Sequence, residues 1–159
     1  MEKRILDVTC GSRTIWFNKQ HPAAVYCDVR DEEFTGVWSS TKNDSERKCI
    51  VHPDIQCDFT DLPFSDNTFS LVVFDPPHLL KVGDSAYMAL KYGKLTPEWK
   101  AELGRGFDEC WRVLKSGGTL IFKWAEIDIK LTEILKCFSQ KPLITQNTAN
   151  KSHWCVFFK

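Results

Sequence analysis

Five residues, Ser70-Leu71-Val72-Val73-Phe74, form a short, mostly apolar run that stops abruptly at Asp75-Pro76-Pro77-His78. Such a run is what a strand buried in a parallel sheet shows. Two consecutive prolines cannot continue a sheet ladder, because each lacks an N–H and has its φ fixed. A carboxylate is therefore delivered at the C-terminal end of a strand, on a stiff turn. In open α/β sheets that edge is where ligands bind.

The chain before this point repeats the pattern. Arg4 to Val8 reads as a first strand, running into the small polar turn Thr9-Cys10-Gly11-Ser12-Arg13-Thr14. A short helix is predicted from Ser12 or Arg13 through Ile15-Trp16-Phe17, stopping at His21-Pro22. Gly11 lets the backbone pass close to a ligand, with the N–H groups of the helix start facing it. Asp7, closing the strand, orients that loop or binds a cationic group. Ala23 to Asp28 is a second strand that again ends on an acid, 21 positions after Asp7. A strand, a tight loop, a helix and a second strand closed by an acid is the nucleotide-binding arrangement, in which the acid accepts from ribose hydroxyls. Ser39 to Lys48 is polar without periodicity and reads as an exposed loop, a candidate lid. Cys49-Ile50-Val51 and Ile55-Gln56-Cys57 supply a third strand interrupted by Pro53, ending at Asp58-Phe59.

Beyond His78, the stretch to Leu95 contains Gly83, Gly93, Lys81, Lys91 and Lys94 and reads as a flexible cover. Thr96-Pro97-Glu98 starts a helix with a capping hydroxyl, an early proline and an acid suited to the helix dipole. Trp99, Leu103, Phe107, Trp111 and Leu114 make its apolar stripe, and Lys115-Ser116-Gly117-Gly118 ends it. Thr119 to Trp124 is a fifth strand. Leu131, Ile134, Leu135 and Phe138 mark another core-facing helix, closed by Pro142. Leu143 to Thr145 and His153 to Phe158 are two final strands, too close for a helical crossover and so expected to pair antiparallel.

Composition sets the bounds. With 159 residues, 43% hydrophobic, this is the size and make-up of one folded domain, and no linker to a second is evident. No apolar run approaches a membrane span or a signal peptide, and the seven scattered cysteines suit reduced thiols in the cytoplasm. Cys49, His52 and Cys57 lack an evident fourth partner and fit no common zinc spacing, so no metal site is expected. The 21 basic and 21 acidic residues cancel, which argues neither for nor against a polyanionic partner.

With acids after its first four strands and an antiparallel end pair, the chain resembles the class I S-adenosylmethionine-dependent methyltransferases over essentially its whole length. Asp7 to Arg13 sits where that family carries its D-x-G-x-G-x-G or D-P-F-x-G-S-G loop, keeping only Gly11 of the usual glycines. Asp58-Phe59-Thr60-Asp61-Leu62-Pro63-Phe64 resembles the D-A-x-x-L-P-F segment that frames the adenine. Arg112 to Gly118 is similar to the R-V-L-K-P-G-G lead into strand five. The fold this implies is a Rossmann-like three-layer α/β sandwich in one domain. Its seven-stranded, mostly parallel sheet has the order 3-2-1-4-5-7-6 with a C-terminal antiparallel hairpin.

The resemblance also implies roles. The backbone of Thr9, Cys10 and Gly11 would hold the methionine portion of S-adenosylmethionine, Asp28 the ribose hydroxyls, and Asp58 the adenine amino group with Phe59 alongside. Asp75-Pro76-Pro77-His78 resembles the D-P-P-Y or N-P-P-Y motif of amino-methyltransferases. There the carboxylate and the first proline's carbonyl accept from an exocyclic NH2 and aim its lone pair at the methyl group. His78 replaces the aromatic that stacks on a flipped base, and it either stacks in turn or acts as a general base. The expected activity is methyl transfer to an exocyclic amino nitrogen of a nucleobase in DNA or RNA, with a partner protein supplying target recognition and no membrane involved. The alternatives are N-methylation of a small molecule or a protein side chain, and a non-catalytic cofactor-binding subunit of a partner methyltransferase.

Overall fold

The computed structural model describes residues 2–40, 43–147 and 151–159, with side chains throughout except at 36–47 and 147. In chain order the elements are β1 (Ile5–Asp7), β2 (Ala24–Asp28), β3 (Glu32–Ser40), β4 (Asn43–Val51), β5 (Ile55–Gln56) and β6 (Phe69–Phe74). Then follow α1 (Tyr87–Tyr92), α2 (Trp99–Val113), β7 (Leu114–Ala125), α3 (Leu131–Ile134), β8 (Ile144–Asn147) and β9 (Ser152–Phe158). Seven strands make one sheet in the order β5-β2-β1-β6-β7-β9-β8. Numbered within that sheet alone, this is the expected 3-2-1-4-5-7-6. The first five are mutually parallel, and β9 runs antiparallel to both β7 and β8.

The core lies between β6, β7, β9 and α2. Leu103, Phe107, Cys110 and Val113 are the buried stripe of α2, while Trp99 and Trp111 sit at its margin and Leu114 already belongs to β7. The Phe107 ring stacks on Phe138 at 4.2 Å and meets Phe157 at 4.9 Å. Gly106 is helical despite its low propensity because a Cβ there would collide with the Phe59 ring and lie 3.1 Å from Phe74. Arg112 bonds the carbonyls of Phe64 and Leu62 at 2.7 and 3.0 Å, which fixes the segment after Phe59 against α2.

Five expectations need correction. Cys49–Val51 and Ile55–Cys57 do not make one strand: Cys49–Val51 ends β4, outside the main sheet, and Ile55–Gln56 alone pairs with β2. Residues 9–23 form turns instead of a helix: Gly11 and Arg13 take φ of 49° and 54°, which an α-helix cannot accommodate. The segment is held by side chains. The Arg13 guanidinium lies 3.8 Å over the Tyr26 ring and donates to the carbonyls of Lys19 and His52, both at 2.8 Å. Residues 39–40 and 43–48 are not loop but belong to a two-stranded antiparallel pair, β3 on β4, in register from Glu32↔Val51 to Ser40↔Asn43. The stretch Ser39 to Lys48 is polar throughout in sequence and so leaves no apolar alternation to read. Residues 41 and 42 and the neighbouring side chains on which a lid reading depends lie outside the described residues. Within 79–95 the cover is ordered by α1 and by the Leu95 N–H on the Leu79 carbonyl at 2.8 Å. The helix expected to Phe138 closes at Ile134, though Phe138 remains buried.

Phe107→Ala is expected to cost about 3–5 kcal/mol, the range for an aromatic deleted from a packed core. Urea unfolding should show a lower midpoint at unchanged slope; a loss under 1 kcal/mol would mean this ring cluster is not the core.

Candidate functional site

Parallel pairing aligns the C-terminal ends of β1, β2, β5 and β6 on one edge, bringing Asp7, Asp28, Asp58 and Asp75 together. A cavity of about 360 Å³ opens there, lined among others by Asp28, Asp58, Phe59, Asp75, Tyr92 and Arg105. A side chamber of about 40 Å³ adjoins it, reaching Gly11, Thr14, Pro76, His78 and Lys91 and sharing Thr9, Arg30, Asp75 and Tyr92 with the larger space. The volume lies within the roughly 300–1,000 Å³ usual for small-ligand sites.

Asp75 leaves the sheet on the stiff proline turn, and its backbone N–H donates to Thr9 Oγ1 at 3.1 Å. The loop after β1 is thereby tied to the exit of β6. The carboxylate accepts from Lys123 Nζ on both oxygens, at 3.0 and 2.8 Å. Burial pushes the Asp75 pKa up, and the Lys123 charge pulls against that shift. Each oxygen keeps a lone pair that can serve a further donor.

Asp7 is buried beneath. Its oxygens accept from Trp16 Nε1 at 2.6 Å and from the Thr9 N–H at 3.3 Å. Desolvation nonetheless raises its pKa to about 7, with Asp75 and Asp28 adding to the rise. Through these bonds it orients the loop after β1. Cys10 is buried too, its thiol pushed up to about 12, and contributes its backbone to the loop.

Asp28 accepts from the Gly11 N–H at 2.9 Å and from the Arg30 N–H and Nε, both at 3.0 Å, with Arg30 Nη2 at 3.4 Å. Arg30 also donates to the Leu90 carbonyl at 2.9 Å, which links this acid to α1. Asp58 is exposed toward the cavity, one oxygen held by the N–H and hydroxyl of Thr60, both at 2.8 Å. The Phe59 ring leans on Phe74 at 5.4 Å in the space Gly106 leaves. His78 is buried, 5.7 Å from the Tyr92 ring and edge-on to Trp124 at 6.3 Å. Burial lowers its pKa, so the imidazole is neutral at neutral pH.

Asp28, Asp58, Asp75, Phe59, the Thr9–Gly11 loop and His78 thus line one pair of adjoining spaces, while Asp7 lies buried beneath and lines neither. Sequence reasoning missed Lys123, Arg30 and Tyr92. Lys123 had a signal: it is the lone charge in the apolar run Leu120 to Trp124, and the register Phe74↔Phe122 places it beside Asp75. Tyr92 had none, because its position depends on Gly93 (φ 76°), where a Cβ would lie 3.0 Å from Pro77.

No protein-family model and no curated protein matches this chain. Among solved structures it is similar to the PH0226 protein of Pyrococcus horikoshii OT3, at 14% identity and a TM-score of 0.58, over 99% of this chain and 83% of that one. It is also similar to a Leishmania major protein described as a SAM-dependent methyltransferase, at 12% identity and a TM-score of 0.55, over 99% of this chain and 65% of that one. The cyclase SpnF overlaps more loosely, at 18% identity and a TM-score of 0.41, over 77% of this chain and 39% of that one. At such identities the likeness is one of fold. The chain has the Rossmann-like class I methyltransferase fold.

The folded chain keeps the Asp7 proton up to about pH 7, whereas an unfolded aspartate releases it near 3.8. More protons are bound folded than unfolded in that window, so stability falls as pH rises through it and levels above. Asp7→Asn retains an acceptor for Trp16 and lacks this loss. Relative to wild type it should gain on the order of 4 kcal/mol between about pH 4 and pH 8 in urea unfolding; a difference independent of pH would show that Asp7 is ionised throughout.

Proposed function

We propose that this chain transfers a methyl group from S-adenosylmethionine to an exocyclic amino nitrogen, and that the acceptor is a nucleobase in DNA or RNA. The observation that carries the reading is the Asp75-Pro76-Pro77-His78 turn, which opens on the same spaces as Asp28, Asp58 and Phe59. The donor set suits the cofactor in kind: an acid at the end of β2 for the ribose hydroxyls, an acid and a ring after β5 for adenine, and the loop after β1 for the methionine portion. The Arg30 side chain, 21% exposed, overlies Asp28 and is the group that yields to those hydroxyls. When bound, S-adenosylmethionine supplies an electrophilic methyl group on a sulfonium.

The remaining chemistry belongs to the chain. The free lone pairs of Asp75 and the Pro76 carbonyl accept the two N–H bonds of the amino group and turn its lone pair toward the methyl. They also favour the positive charge that develops on nitrogen. His78, neutral and on the chamber that Asp75 and Pro76 line, is placed to take the proton the nitrogen releases. Lys91 and Arg105 at the cavity walls supply positive charge for a phosphate backbone. In this reading a partner protein supplies target recognition. A non-transferring, cofactor-binding role draws on a different observation: Asp28 and Asp75 are each closed by a cation.

Calorimetry should show S-adenosylmethionine binding to wild type and at least roughly tenfold weaker binding to Asp28→Ala, since a hydrogen bond to a charged group is worth about 1.5–3 kcal/mol. Undiminished binding would overturn the cofactor placement. Radiolabelled methyl offered with DNA, RNA and protein extract is expected to enter nucleic acid. Label in protein alone refutes the acceptor class, and cofactor binding without any transfer supports the non-catalytic role. Asp75→Ala should still bind cofactor but transfer about a hundredfold more slowly or worse; full activity in that variant defeats the mechanism.

A further inference from the structure

Each acid that faces the cavity from β2 and β6 already has its own cation. Asp28 takes Arg30, and Asp75 takes Lys123 on both oxygens, with the Lys123 and Asp75 side chains only 20% and 19% exposed. Asp7 below them is held by Trp16 and the Thr9 N–H, and burial raises its pKa. Asp28 and Asp75 are therefore each neutralised locally by a fixed cation, where two unpaired carboxylates would have attracted a cationic ligand. Lys123 comes from the neighbouring strand at the register position beside Asp75, so this pairing is fixed by the sheet and not by a mobile loop.

That charge state bears on the acceptor. An alkylammonium reaching the remaining lone pairs of Asp75 would stand within about 5 Å of the Lys123 ammonium, and like charges at that range in a half-enclosed site repel strongly. An amino group conjugated to a ring carries no charge in water and adds its N–H donors without that penalty. Tyr92 lines both spaces and supplies aromatic surface there. We infer that Lys123 is a specificity-determining residue: by neutralising Asp75 it restricts the acceptor to an amino group that is uncharged in water and excludes alkylammonium groups such as lysine side chains. The inference rests on the reading of this site as an amino-methyltransferase and narrows its acceptor.

Carbon-13 NMR of the full chain labelled at aspartate carboxyls reads the site without turnover, with the Asp75 signal assigned from Asp75→Asn. Titration with n-butylammonium should leave that signal unmoved in wild type and in Lys123→Arg, and shift it saturably in Lys123→Met, with apparent affinity about a hundredfold higher. Cytidine should move it in wild type. Lys123→Gln serves in place of Lys123→Met if circular dichroism shows the latter unfolded. Butylammonium binding wild type as well as the neutral variant overturns the inference, as does a neutral variant that ignores butylammonium or a wild type that ignores cytidine. Calorimetry with S-adenosylmethionine separates the two levels: absence of cofactor binding defeats the methyltransferase reading, while the NMR outcome still reports on charge selection.

Discussion

The ion pair between Asp75 and Lys123 exists because β6 and β7 are parallel and in register, and much of the site follows from that constraint. A carboxylate on a proline turn, mostly enclosed by protein, would take up a proton or seek any passing cation. The adjacent strand supplies a fixed ammonium instead. On the other side of β6, the loop after β1 supplies the Thr9 hydroxyl to the Asp75 N–H. The motif is thus clamped from both flanking strands. Removing one partner of such an enclosed pair typically costs about 3–5 kcal/mol, so the sheet and the site stabilise each other.

The same economy appears at the other acids. Asp28 joins the Gly11 N–H, the Arg30 guanidinium and, through Arg30, the end of α1. Asp7 joins the Trp16 indole to the turn that starts at Thr9. These bonds replace the helix that a nucleotide-binding βαβ unit ordinarily inserts between its first two strands. Turns pinned by Arg13, Trp16 and Tyr26 cover that face of the sheet. Rigidity at the loop comes from side-chain bonds to buried acids and not from helix propagation.

The main sheet was legible because buried strands announce themselves: Leu71 to Phe74 and Leu120 to Phe122 are continuous apolar runs, and the acids that follow strands give their direction of use. The positions of Asp28, Asp58, Phe59 and Asp75 followed from that frame. What escaped were features set by single backbone conformations and by pairing across the sheet. Gly11 and Arg13 at positive φ unmade a predicted helix, and nothing in Ile15-Trp16-Phe17 betrays it. β3 and β4 pair with each other outside the main sheet, and the polar sequence from Ser39 to Lys48 carries no periodic signal of that pairing. Tyr92 reaches His78 only because Gly93 packs on Pro77. Lys123 was readable in principle, since strand order and register together place it beside Asp75.

The sheet order has a further consequence for synthesis. β9, the last strand in the described chain, lies inside the sheet between β7 and β8. Gly117 and Gly118, at the opposite end of β7 from Lys123, bond to the backbone of Lys159. A nascent chain on the ribosome can pair β5, β2, β1, β6 and β7 as they emerge, yet the far edge of β7 stays open until residues 152–158 leave the exit tunnel. That edge presents Leu120 and Phe122, an invitation to intermolecular pairing while it waits. The open interval for that edge therefore runs from the emergence of β7 to the emergence of β9.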